Sequence, residues 1–432
     1  MPSEIIKKGF HDKTKALVEQ AMKLLASSLQ KGEEIPSRTA EAYKVIGPGG
    51  WSQDYESRLD YFGFVHDHEK DIEELPEFGM WLKELREDPV ISKHVGELVG
   101  SRRGMLSRTA WDYLSHLLLA QISSGTLDFD LRMFELAYRQ MEEFFHKETV
   151  EFRAFSPLQN FESDSGSISL GGGLMIRKTT NPELERLLDP RQGPSMVPHH
   201  EIITFKYAME LTYETEKVFG ELPAYRPAPE DEVFSKLVSA LRLFKPGTIG
   251  FNFIQEAPTN DAAMFGRATR SNLDYKHFWG PVYSLKGDEI AAFNSFWRAF
   301  SELDLAKLPL GIAINRFNFA FGRLGLEDKL IDFMIAFEAL FFKTGEIGEN
   351  RHKLSIRVAK LLARDYESRK RIAKEMAEFY GMRSGVVHGE QVHLKPEFTD
   401  KIEDYLRQSI KYFLDQQQAE DHDEIISRLD LE

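Results

Sequence analysis

From about Leu308 onward the sequence falls into five helix-length runs with periodic apolar residues, separated by short polar breaks and without an internal sequence repeat. The runs are LGIAINRFNFAFGRLG, LEDKLIDFMIAFEALFFKTG, NRHKLSIRVAKLLARD, YESRKRIAKEMAEFYGMRSGVVHG and PEFTDKIEDYLRQSIKYFLDQQ. Helices this short gain their stability from packing one apolar stripe against neighbours, so the pattern predicts a helical bundle over residues 304–415. The remaining residues, 416–432, read as an acidic, peripheral tail.

A chain of 432 residues is too long for one core, and two or three domains are expected. Residues 1–125 read as mostly helical. DKTKALVEQAMKLLASSLQKG sets Leu17, Ala21, Leu24, Leu25 and Leu29 at helical spacing with Gly32 as a stop. SRTAWDYLSHLLLAQISSG repeats the form, with Ser107 or Thr109 as the cap. Between them, IGPGGWSQDYESRLDYFGFVHDHEKD mixes turn residues with aromatics and shows no clear period. Residues 126–303 read as a mixed α/β domain. A helix, LRMFELAYRQMEEFFHKE, precedes the strand-like TVEFRAFSPLQNFE and SISLGGGLMIRKT, the latter turning at Gly171 to Gly173. A Pro-rich approach, LPAYRPAPEDE, then leads into the helix VFSKLVSALRLF, with acids in its first turn, and into the strand of KPGTIGFNFIQ. The expected fold class is α+β multidomain, with an all-α C-terminal bundle behind an α/β domain and a mostly helical N-terminal region.

The absence of cysteine excludes disulfides, thiolate zinc sites, iron–sulfur clusters and cysteine nucleophiles. No apolar run approaches the roughly 18 residues of a membrane helix, and MPSEIIKKGFHDK lacks a signal-peptide core, so a cytoplasmic protein without membrane contact is expected. The net charge of −14 disfavours a general nucleic-acid coat. The charge is uneven, however: Lys307 to Lys411 holds 19 Lys and Arg against 15 Asp and Glu.

Within that basic stretch stands FYGMRSGVVHGE, with Arg383 and His388 five residues apart. Residues advance about 100° each on a helix, so the two side chains point about 140° apart. Either the helix is distorted near Gly385, or a two-fold dimer brings two copies of each residue around one cleft. Gly389 is placed to end the helix, with His388 in its last turn. Arginine forks onto phosphate oxygens and histidine moves protons, which together suit phosphodiester cleavage by the RNA 2′-hydroxyl without a metal. The same spacing is also an ordinary helix terminus.

The run NRFNFAFGRLGLEDKLIDFMIAFEALF through KLSIRVAKLLARDYESRKRIAKEMAEFYGMRSGVVHG resembles the Apea-like HEPN family. The likeness comprises an Arg-Phe start, the acidic EDKLID, an A-x-E-A-L-F helix, the S-I-R-V-A helix and the terminal R-S-x-x-V-H-G, over about Ile314 to Gly389. It implies a metal-independent, cofactor-free endoribonuclease, active as a homodimer through the HEPN bundle. Such an enzyme cuts RNA, tRNA included, to a 2′,3′-cyclic phosphate and a 5′-hydroxyl in antiphage defence or toxin systems, on a phage-derived or protein trigger. By motif position Arg383 and His388 become the catalytic pair, with Ser384 in the polar position after the arginine. Glu338, on the otherwise apolar FMIAFEALF, needs a partner, and Arg357 or Arg383 could supply it, as a catalytic part or as a structural salt bridge. Arg316 reads as a surface residue rather than an RNA-facing cation.

Two competing readings remain. One is a non-catalytic HEPN module for RNA or nucleotide binding or for dimerisation. The other is a metal-dependent enzyme built on FVHDHEKD (His66, His68, Glu69) or PHHE (His199, His200, Glu201). Neither histidine segment has a complete ligand set, and ordinary loop histidines are the better reading. LGGGL is not a phosphate loop, because no Gly-Lys-Ser/Thr follows it.

Overall fold

The computed structural model describes residues 6–47, 50–96, 98–101, 104–122, 126–189, 197–220, 229–263, 268–271, 276–278, 280–304, 309–343, 345–346, 348–416 and 421–431. The protein is mixed α+β. Helix α1 (Lys8–Gln30) is followed by an antiparallel hairpin of β1 (Ser37–Val45) and β2 (Trp51–Leu59). Next come α2 (Tyr61–Asp67), α3 (Glu69–Glu73), α4 (Pro76–Glu87), β3 (Leu98–Ser101), β4 (Gly104–Ser107), α5 (Ala110–Ile122) and α6 (Leu131–His146). The middle of the chain holds β5 (Thr149–Leu158), β6 (Phe161–Ser163), β7 (Ser167–Gly171), β8 (Leu174–Lys178), α7 (Asn181–Leu188), α8 (His199–Ile202), β9 (Tyr207–Glu216) and β10 (Val218–Phe219). After these run α9 (Pro229–Phe244), β11 (Phe253–Pro258), β12 (Ala268–Ser271), β13 (Tyr283–Leu285) and α10 (Ile290–Ser301). The chain closes with α11 (Pro309–Ala320), α12 (Leu326–Phe341), α13 (Asn350–Leu362), α14 (Tyr366–Val387), α15 (Pro396–Gln416) and α16 (His422–Leu431). Most of the Pro-rich approach to α9, residues 221–228, lies outside the described residues.

The chain forms two compact units, and both are assembled from separated stretches. Unit 1 is Met1–Pro157, Gly171–Ala228 and Phe253–Asn272; unit 2 is Leu158–Leu170, Pro229–Asn252 and Leu273–Glu432. The consecutive parts expected from the sequence therefore do not coincide with the compact units. In unit 1, α1, α2, α4, α5 and α6 bury Leu17, Phe64, Trp81, Leu117 and Tyr138 in one core, so α6 joins the N-terminal helices. Thr109 caps α5 reciprocally: its hydroxyl accepts from Asp112 N, and the Asp112 carboxylate accepts from Thr109 N at 2.7 Å. Strands β12, β11, β5, β9 and β8 lie side by side in that order, with the β8–β9, β5–β11 and β11–β12 pairs antiparallel. The turn into β8 needs its glycines. Gly173 has φ +77°, and a Cβ there would stand 2.3 Å from Thr212 O.

Unit 2 holds a parallel pair, β6 with β13, and all helices from α9 onward. Its helices bury stripes at three- and four-residue spacing: Leu330, Phe333, Met334 and Phe337 on α12, Ile372, Met376 and Phe379 on α14, and Ile402, Leu406, Ile410 and Phe413 on α15. Buried Arg407 of α15 donates through Nε to the Arg242 carbonyl of α9 at 2.8 Å. The tail is not peripheral. Ile425, Ile426 and Leu429 of α16 are buried, and Asp430 accepts from buried Arg357 at 2.7 Å. Its acids flank an apolar stripe that composition alone conceals.

Candidate functional site

Helix α14 is capped by Asp365, whose carboxylate accepts from Ser368 N at 2.9 Å. Its buried stripe, Ile372, Met376 and Phe379, continues at the next helical step to Arg383. Arg383 is therefore half-buried. Its Nε is enclosed without a hydrogen-bond acceptor, and its Nη2 lies 3.8 Å from Glu338 Oε2 on α12, too long for a hydrogen bond. The guanidinium is held by charge and packing, with Nε enclosed and its terminal nitrogens free of hydrogen bonds among the described residues.

The helix runs without a break through Gly385 to Val387, so distortion does not bring Arg383 and His388 together. It ends in a Schellman turn: Glu390 N donates to Gly385 O at 2.9 Å, and Gly389 N, at φ +77°, donates to Val386 O at 3.1 Å. Gly385 permits this reversal, since a Cβ there would meet Glu390 Oε2 at 2.9 Å and Val392 Cγ2 at 3.0 Å. His388 caps the helix at the apex of the turn, exposed, with no side-chain partner among the described residues. Five residues separate it from Arg383, about 7.5 Å along the axis and about 140° around it. Within one chain the two groups face different ways. Ser384 lies beside Arg383, half-buried, and its carbonyl accepts from His388 N at 3.0 Å.

Of the two partners expected for Glu338, the structure selects Arg383. Arg357 belongs elsewhere. It bonds Glu346 at 2.8 Å through both terminal nitrogens, Asp430 at 2.7 and 2.8 Å, and Phe341 O at 2.6 Å. With every donor direction engaged it is a structural clamp, and its expected supporting role at the site is corrected. Arg316 is not a plain surface residue either, because it donates to buried Asp332 at 3.0 Å.

Tyr380 and the start of α13 complete the surroundings. Burial, with the Glu338 carboxylate beside it, pushes the Tyr380 phenol up. A cleft of about 710 Å³ between α13 and α14 is lined by Asn350, Arg351, His352 and Tyr380, and Ala373 and Ala377 leave it room. Arg351 Nη2 comes within 4.0 Å of the position a Gly381 Cβ would take. Motif spacing does not single out these residues. The usable signal was the pair Ala373 and Ala377, which puts small side chains on the face of α14 that Tyr380 continues.

The two histidine-rich segments are occupied by local contacts. His68 is buried, bonding Phe64 O at 2.8 Å and Ser28 Oγ and Glu33 at 3.1 Å, while His66 pairs with Glu69 at 3.2 Å. His199 packs edge-on against Tyr43 and Trp51. Among the described residues, no helix is long and apolar enough to cross a membrane. In comparisons with known proteins the chain matches no family model, no curated protein and no solved structure. The HEPN resemblance rests on its sequence motifs and their order.

Proposed function

We propose that this chain is a metal-independent endoribonuclease of HEPN type, working as a cytoplasmic homodimer on RNA, with tRNA a candidate substrate. The observation that carries the proposal is the tip of α14: Arg383 half-buried with unused donors, His388 exposed and unpartnered, the two turned apart on one rigid helix. A two-fold pair of tips would let the arginine of one copy and the histidine of the other face the same phosphodiester.

In that cleft one His388 takes the proton of the RNA 2′-hydroxyl as the O2′–P bond forms. The P–O5′ bond breaks, and the departing O5′ takes its proton from water or, where both copies carry it, from the second His388. The products are a 2′,3′-cyclic phosphate and a 5′-hydroxyl. Arg383 donates to the phosphoryl oxygens, whose charge grows at the pentavalent stage. Glu338, 3.8 Å from Arg383, orients the guanidinium without consuming its donors.

Mixing tests the shared cleft. Arg383→Ala and His388→Ala proteins, each inactive alone, should regain part of the activity once subunits exchange. No recovery after demonstrated exchange counts against a composite site. Restraint of a toxic nuclease by the upstream regions, residues 1–125 and the α/β sensor region 126–303, released by a phage-derived or protein trigger in antiphage defence, belongs to the same proposal. Deleting residues 1–300 cannot test it, because that removes α9, whose Arg242 carbonyl receives Arg407. Growth arrest on expression, lost in both point variants, is the cellular test. The Schellman turn favours one other reading, a non-catalytic HEPN module in which these residues merely end the helix.

A further inference from the structure

A second cleft, of about 410 Å³, opens in unit 2 where α11 ends and α12 begins. Lys276, His277, Arg316, Phe319, Gly322 and Arg323 line it. Its organiser is Asp332, 1% exposed, which accepts from Arg316 Nη1 at 3.0 Å and Arg323 Nε at 2.7 Å. Each guanidinium gives the carboxylate a single nitrogen, and no other hydrogen bond engages either among the described residues. Their side chains stay 38% and 44% exposed, so the remaining donors face water.

The third cation is placed as deliberately. Asn252, 3% exposed, grips the Lys276 backbone from both sides, donating to its carbonyl at 2.7 Å and accepting from its N–H at 3.1 Å. The lysine stem then crosses Gly322. A Cβ at Gly322 would meet its Cδ at 2.8 Å and its Nζ at 3.2 Å, so glycine lets the ammonium lie in the cleft. Lys276 has no carboxylate partner among the described residues. Asp328, in the first turn of α12, also acts on Arg323, so among the described residues the three cations exceed the carboxylates Asp328 and Asp332. Phe319 stands at the rim, 51% exposed, with the Arg316 guanidinium 5.9 Å from its ring centre.

We propose that this cleft binds a nucleotide: the phosphate on Lys276, Arg316 and Arg323, the base against Phe319. Forked guanidinium donors suit phosphate oxygens, and an exposed aromatic face accepts any base. The site is distinct from the α14 tip. Asp332 and Glu338 are six residues apart on α12, about 9 Å along its axis and about 120° around it. The inference stands whether or not the chain cuts RNA.

The ligand chemistry is shared by free nucleotides and by single-stranded RNA, and titration of the full chain separates them. The probes are AMP, inorganic phosphate and a fluorescein-labelled octaribonucleotide, the last in an Arg383→Ala background. Lys276→Met keeps the stem over Gly322, leaves the Asp332 pairs intact, and should weaken AMP binding about tenfold with an unchanged melting temperature. Phe319→Ala should weaken AMP but not phosphate. An octamer held at least tenfold tighter than AMP, with a salt dependence that Lys276→Met reduces, assigns the cleft to RNA; equal affinities assign it to free nucleotide. Absence of AMP and octamer binding, indifference of both to Lys276→Met, or AMP binding indifferent to Phe319→Ala overturns the proposal.

Discussion

Replacing Arg357 with methionine should cost the protein about 3–5 kcal/mol, because it leaves carboxylates without the buried cation they were folded around. The structure gives a second route to that figure. Arg357 is 3% exposed, and its hydrogen bonds to Glu346 are the largest cause holding that carboxyl at about 2 instead of 4.5. A fall of this size corresponds to about 3 kcal/mol at neutral pH, of which Arg357 supplies the largest share and the Lys343 N–H and Lys353 the rest. Since the folded-state value is the depressed one, this stability is fully present above pH 4.5 and is lost as pH falls through about 2. Urea unfolding followed by circular dichroism at pH 7, 4.5 and 3 reads both effects. Wild type should lose stability between pH 4.5 and 3, and Arg357→Met should start lower at pH 7 and change less across that interval. A variant within about 1 kcal/mol of wild type at pH 7 would refute the reasoning. So would an undiminished acid slope.

Two further outcomes follow from buried groups. Burial lowers Lys217, whose ammonium donates to Phe144 O, to about 8 from 10.5. The unfolded chain therefore binds more protons between those values, and stability should rise with pH from 8 to 10.5 by about 1–3 kcal/mol. Lys217→Met should abolish that rise in the same urea titration, and a rise of equal size in the variant would reject the assignment. Ile426→Ala, in the terminal helix at 0% exposure, should cost about 2–4 kcal/mol by denaturant melt. A loss below about 0.5 kcal/mol would return the terminal helix to the role of a peripheral tail.

The five helical runs were legible because each carries an apolar stripe at the helical period, and α11 to α15 occupy those runs. The hairpin of β1 and β2 was not. Its strands are largely exposed, with Arg38, Thr39, Asp54 and Ser57 facing water, so no apolar alternation marks them. The interleaving of the two units, and the bond from Arg357 to Asp430 at 73 residues' separation, join distant stretches that local patterns cannot connect. At the site, Arg383 and His388 stood out by spacing, and their opposite facing followed from helix geometry. Which arginine Glu338 would meet did not, because Arg357 and Arg383 both lie on neighbouring helices. Only the competing carboxylates Glu346 and Asp430 decide it.

The ribonuclease proposal is tested most directly by incubating purified wild-type, Arg383→Ala and His388→Ala proteins with total cellular RNA in EDTA and mapping the ends of the fragments. Wild type alone should cleave, leaving 2′,3′-cyclic phosphates and 5′-hydroxyls. Cleavage that EDTA abolishes, or that survives both substitutions, would contradict the proposal.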